Sequence, residues 1–152
     1  MTDAFTGAMP FADLAGVEIA SASAEEVTAQ LAWDESRCTA GGILHGGALM
    51  TLADSAGGLC AFLNLPDGAG GTATVESKTN FFRPVSAGRV TAVAQPVNVG
   101  RSLIVVQTEL RDDEGLYRAD IRRIWNEAAR RLTPPQRAAF ALHEIEGFGT
   151  DE

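Results

Sequence analysis

The chain has 152 residues, of which 45% are apolar and 21% charged, with a formal net charge of −8. That length suits one domain built around a single hydrophobic core. The negative charge repels polyanions at long range, so it disfavours non-specific attraction to nucleic acid or to an anionic membrane surface. The opening residues MTDAFTGAMP lack a basic region leading into an apolar stretch, and no uncharged apolar run reaches the roughly 18 residues of a membrane helix. The expected location is cytoplasmic. Cys38 stands beside Arg37 in a polar stretch and Cys60 in an apolar one, without metal-ligand spacing between them, so neither a disulfide nor a metal site is expected.

Pro10-Phe11-Ala12-Asp13-Leu14 predicts a short helix, since proline fits the first turn and Phe11 and Leu14 share one face. Val17 to Ile19 and Val27 to Trp33 alternate apolar and polar residues at period two, which predicts two antiparallel strands turning around Ala24-Glu25. Asp34 to Gly42 is polar and contains glycine, the composition of a loop. From Leu44 the apolar positions switch to helical spacing, through Ala48, Leu49, Leu52, Ala53, Ala56, Leu59, Cys60 and Leu63. A helix apolar around so much of its circumference is expected to be buried, and its Gly and Ala residues admit close approach by a sheet. It ends near Asn64, before Pro66 and the loop Asp67-Gly68-Ala69-Gly70-Gly71.

Three strand-like stretches come next: Thr72 to Phe82, closed by Pro84, then Arg89 to Val99, then Ser102 to Leu110. Turns at Ser86-Ala87-Gly88 and Asn98-Val99-Gly100 separate them. The expected class is α+β, an antiparallel sheet wrapped around one long central helix. After Asp112-Asp113-Glu114-Gly115 two patterns compete. Tyr117, Ala119, Ile121 and Arg123 alternate as in a strand, whereas Tyr117, Ile121, Ile124, Trp125, Ala128 and Leu132 follow a helix. Thr133-Pro134-Pro135-Gln136 combines an N-cap, first-turn prolines and a capping-box Gln, predicting a helix from Pro134 to Ile145 stopped by Gly147. The expected organisation is a domain over residues 1–115 and a divergent, helical C-terminal tail over residues 116–152.

Two features could carry chemistry. Asp54 is a carboxylate whose neighbours on the predicted helix are Leu, Ala, Gly and Met. Burying it unpaired would cost on the order of several kcal/mol, so it is either hydrogen-bonded, paired with an Arg from the sheet, or a nucleophile or general base. His45-Gly46-Gly47 falls where loop becomes helix, so free backbone N–H groups sit at the positive end of the helix dipole. Such donors polarise a carbonyl or hold an oxyanion. The same triplet would also serve as a plain helix cap and turn.

The stretch Gly42-Ile43-Leu44-His45-Gly46-Gly47-Ala48-Leu49-Met50-Thr51-Leu52-Ala53-Asp54 resembles the signature of the hotdog-fold acyl-CoA thioesterases of the phenylacetate-pathway and hydroxybenzoyl-CoA types. Pro10 to Val17, Asn80-Phe81-Phe82-Arg83-Pro84 and Val99-Gly100-Arg101-Ser102 extend the similarity, which covers about residues 9 to 115. The resemblance implies an acyl-CoA substrate, no cofactor, and a homodimer or homotetramer with active sites between subunits. By position, Asp54 would attack the thioester or activate water, the Gly46 N–H would polarise the carbonyl, and His45 would orient the loop, with Gly47 beside the substrate. Asp54 of one chain would work with His45 and Gly46 of its neighbour. Thr74 would help position water; Arg83 and Arg101 are candidates for CoA phosphates; Phe82, with Phe62 and Phe81, would line an apolar acyl pocket.

The pattern also departs from the family. Thr39 stands six positions before the histidine, where many relatives carry Asn or Gln, and Gly58 stands where a hydroxyl-bearing residue is common. In the family a final strand follows the turn matching Gly115; here Leu116 to Trp125 would have to supply it, with Arg118, Asp120 and Arg122 on one face. Leu132 to Gly147 is instead similar to the first helix of a sigma-factor region-four domain, although the chain holds no recognition helix after it. Two rivals to hydrolysis therefore stand: an acyl-CoA-binding protein without turnover, and a regulatory or DNA-associated role through the tail, which the net acidity opposes.

Overall fold

A computed structural model of the chain describes residues 7–113. The alternative readings of Leu116 to Trp125, the helix expected from Pro134 to Ile145 and the tail's resemblance fall outside the described residues. Within the compact unit Met1–Gly115, the described elements run in chain order as helix α1 (Pro10–Ala15), strands β1 (Val17–Ala22) and β2 (Val27–Ala32), a single 3-10 turn (Glu35–Arg37), helix α2 (Gly46–Leu63), and strands β3 (Arg89–Val99) and β4 (Ile104–Asp112). The four strands form one antiparallel sheet in the order β1-β2-β3-β4.

Register follows the hydrophobic alternation. Val27, Ala29 and Leu31 of β2 are fully buried, and so are Ala92 and Ala94 of β3, with Val90 nearly so. Pairing of Val27 with Ala94 and of Leu31 with Val90 brings these residues onto one face, and a slip of one residue would turn the whole row to solvent. Pro96 lies beyond the end of β2, at a register shift between β3 and β4, where its missing N–H costs no ladder bond to β2.

Helix α2 lies against this face and contacts all four strands. Its buried residues, Leu49, Leu52, Ala53, Ala56, Leu59 and Cys60, recur at helical spacing. The small ones let the sheet approach: a Cβ built on Gly57 would stand 3.3 Å from Thr108 Oγ1. Asn64 closes the helix, donating from its side chain to the Cys60 and Ala24 carbonyls. By length and composition alone α2 is long and apolar enough to cross a membrane, a test that the core helix of a sheet protein also passes. It carries Asp54, however, and is held by the sheet.

Three expectations need correction. The predicted helix start at Leu44 moves to Gly46, because His45 is extended and acts as the N-cap. The turn expected at Asn98-Val99-Gly100 shifts along the chain: β3 runs to Val99, and the Gly100 amide bonds the Leu103 carbonyl ahead of β4. Thr72 to Phe82 forms no strand among the described residues, and nearly all of it is exposed. Alternation marks a stretch able to pair, but a strand needs a neighbouring ladder, and β4 is the edge of the described sheet.

Candidate active site

The N-terminus of α2 is built by its cap. His45 has extended backbone angles, and its Nδ1 accepts the Gly47 N–H at 2.9 Å, which places the imidazole proton on Nε2. The His45 carbonyl accepts the Ala48 and Leu49 amides, and the His45 amide is bonded to the Arg37 carbonyl. One early amide remains. The Gly46 N–H has no hydrogen-bond acceptor among the described residues and sits at the positive end of the helix. Gly47, expected to lie beside substrate, has its N–H occupied by His45, and a Cβ there would fall 2.9 Å from Nδ1.

Phe81 flanks the free amide, its ring 3.4 Å from the position of a Cβ on Gly46. The sequence marked Phe81 as apolar lining but gave no sign that it touches the helix start, because the two are joined only by tertiary folding. Phe62, Phe81 and Phe82 are all substantially exposed.

Asp54 is not the buried, unpaired carboxylate that the apolar helix suggested. It is exposed, and its Oδ1 accepts the Thr74 hydroxyl at 3.0 Å. The helix is apolar on the face that meets the sheet, and Asp54 lies off that face. It is also remote from Gly46 within one chain, since eight residues of helix separate them by about 12 Å along the axis at about 1.5 Å per residue. The single chain thus brings Asp54 and Thr74 together, and His45, Gly46 and Phe81 together, as two separate groups.

Thr39 stands in a tight loop, its amide bonded to the Ile43 carbonyl at 2.7 Å and its own carbonyl accepting from the Gly42 amide at 3.0 Å. Trp33, which sequence reasoning did not connect to the site, donates its indole N–H to the Gly42 carbonyl at 3.0 Å and pins that loop. Arg83 is half-buried and ion-paired with Asp112 through Nη2. Arg101 is exposed and borders a cavity of about 270 Å³ together with Thr72, Ser102 and Leu103. Burial pushes the Cys60 thiol up, away from thiolate. The described residues contain no group of His, Cys, Asp and Glu able to hold a metal ion.

The family model of the thioesterase superfamily matches residues 41–119, which include both site groups and β4. The chain belongs to the thioesterase superfamily. A Haemophilus influenzae protein whose name marks it a candidate esterase is 34% identical to this thioesterase over 99 residues, covering 65% of this chain and 71% of the relative. Among solved structures, thioesterase HI1161 from H. influenzae is similar with a TM-score of 0.71 and 29% identity, over 76% of this chain and 82% of that one. A mutant of the phenylacetic acid degradation protein PaaI from Thermus thermophilus is similar with a TM-score of 0.63 and 28% identity, over 70% of this chain and 90% of that one. The α+β architecture is the hotdog fold, and thioester hydrolysis is the general chemistry that membership supports.

Proposed function

We propose that this thioesterase hydrolyses acyl-CoA thioesters to the free acid and CoA. The reading rests on one observation above others: a glycine amide without an acceptor among the described residues at the start of the central helix, in a chain that carries a Thr-bonded carboxylate farther along the same helix. The thioester carbonyl would accept the Gly46 N–H, which strengthens as negative charge develops on oxygen. Asp54 then serves in one of two ways. As general base it takes a proton from water, the hydroxide adds to the carbonyl carbon, and collapse expels the CoA thiolate, which takes up the proton. As nucleophile it forms an acyl anhydride with loss of the thiolate, and water then cleaves the anhydride. Thr74 orients the carboxylate in either route.

The separation of about 12 Å between Gly46 and Asp54, from the helical rise, favours a site completed by a second copy, with Gly46 of one chain facing Asp54 of another. In this reading the protein is a homodimer or homotetramer, as its family resemblance implies. Arg101 is the candidate for a CoA phosphate, being the exposed cation at a cavity. We assign this chemistry to residues 1–115 and treat residues 116–152 as a separate, divergent segment.

Turnover of an acyl-CoA panel by the wild type and by Asp54→Asn tests the proposal. Hydrolysis by the wild type should fall at least about a hundredfold in the variant. No activity above background in the wild type would sink the hydrolase reading. The non-catalytic alternative draws support from Gly58, which leaves open space where a hydroxyl could reach the acid's side of the helix. It predicts acyl-CoA binding by calorimetry with no turnover.

A further inference from the structure

We infer that Arg37 is a positioning residue that sets the place of the His45–Gly46 turn, and so of the carbonyl-binding amide. The inference rests on the hydrolase reading for its catalytic consequence and on geometry for the rest. Arg37 ends the 3-10 turn whose N-cap, Asp34, accepts the Ser36 amide at 2.9 Å. Its main chain and its side chain point to different parts of the molecule and tie them together.

The Arg37 carbonyl accepts the His45 amide at 2.9 Å, immediately before the Gly46 N–H. Its guanidinium donates from Nη1 to the Ala32 carbonyl, the last residue of β2, at 2.9 Å. The other end of the guanidinium lies against Gly16, the left-handed cap that joins α1 to β1. A Cβ on Gly16 would fall 2.0 Å from Nη2, so the glycine is needed for this approach as well as for its φ of +80°. One half-buried side chain therefore fixes the base of the loop to the end of β2 and to the α1–β1 junction.

Between Arg37 and His45 the loop closes on itself. Cys38 bridges Leu44, Thr39 bonds Ile43, and Gly42 bonds the Thr39 carbonyl. The loop is a small rigid unit, and its seating depends on its base. Loss of the guanidinium would leave its internal bonds intact but free the unit to shift relative to the sheet. A displacement of about 1 Å at a catalytic donor costs on the order of a hundredfold in rate. Trp33 holds the far side of the loop, and Leu44 is bonded to the Val85 carbonyl, so the shift is a tilt and not a release.

The test compares Arg37→Ala, Arg37→Lys and a stability control, Val27→Ala, which creates a cavity in β2 away from the loop. Two readouts are taken well below each variant's melting temperature: kcat and KM on the best acyl-CoA, and amide hydrogen exchange of the 38–49 segment. Arg37→Ala should lower kcat at least about tenfold with KM changed less than about threefold, and should speed exchange in that segment. Lysine can still donate to the Ala32 carbonyl and should recover part of both losses. Val27→Ala should keep kcat despite its lower melting temperature. Unchanged exchange in Arg37→Ala would overturn the inference, as would faster exchange with wild-type kcat. A wild type that hydrolyses no acyl-CoA refutes the hydrolase reading separately, and the exchange data still decide whether Arg37 seats the turn.

Discussion

The Thr74 hydroxyl donates to Asp54 Oδ1 at 3.0 Å, joining the segment after the central helix to the one acidic residue within that helix. The contact is exposed, so its value lies in aiming the carboxylate more than in stability. Thr74→Val should lower kcat by about three- to thirtyfold while shifting the melting temperature little, and Thr74→Ser should retain most of the activity. Steady-state kinetics with thermal melts on the three proteins check this. Equal kcat in the wild type and Thr74→Val would remove Thr74 from the site.

The helix cap gives a second expectation. His45→Ala removes the acceptor of the Gly47 amide and should cost about 1 kcal/mol of stability. Gly47→Ala should cost at least as much, since its Cβ would stand 2.9 Å from His45 Nδ1. Both should also depress turnover, because an imidazole that is removed or displaced no longer fixes the turn that presents Gly46. Urea midpoints together with kcat give the answer, and a Gly47→Ala protein as stable and as active as the wild type would contradict the His45 cap.

Two adjacent glycines in α2 should respond in opposite ways. Nothing lies within 4 Å of a Cβ built on Gly58, so Gly58→Ala should gain up to about 1 kcal/mol from helix propensity. At Gly57 the same Cβ would press on Thr108 Oγ1 at 3.3 Å, and the close packing of β4 should cancel or reverse that gain. Denaturant unfolding of the pair distinguishes the outcomes. Gly58→Ser, which adds a hydroxyl one helical turn after Asp54, should fold equally well and is expected to raise kcat.

Burial pushes the Cys60 thiol up, so the folded chain keeps this proton at pH values where the unfolded chain has released it. The unfolded state then binds fewer protons, and stability contributed by Cys60 falls as pH rises past the ordinary thiol value of roughly 8.5. The urea midpoint of the wild type should drop more steeply than that of Cys60→Ala between about pH 8 and about pH 10. In the native state a thiol reagent should label Cys38, which is partly accessible, far faster than Cys60. Parallel pH slopes for the two proteins would mean that Cys60 does not titrate differently on folding.

Much of this molecule could be read from residue order. Period-two alternation located β1, β2, β3 and β4, and the change to helical spacing located α2, because each element must turn one face to a common core. His45-Gly46-Gly47 and Asp54 were legible for a related reason: glycines at a loop-to-helix boundary and an acid in an apolar helix both depart from what packing alone would choose. Chain order does not encode which surface a residue meets. Tertiary structure decided that Asp54 is exposed and bonded to Thr74, that Arg83 is ion-paired with Asp112, that Phe81 flanks Gly46, and that Gly47 has no amide to spare. It also decided that Thr72 to Phe82, regular as its alternation is, makes no ladder with the described strands. Periodicity is a property of one segment, whereas hydrogen bonds and ion pairs depend on two segments meeting, and only the folded chain supplies the second.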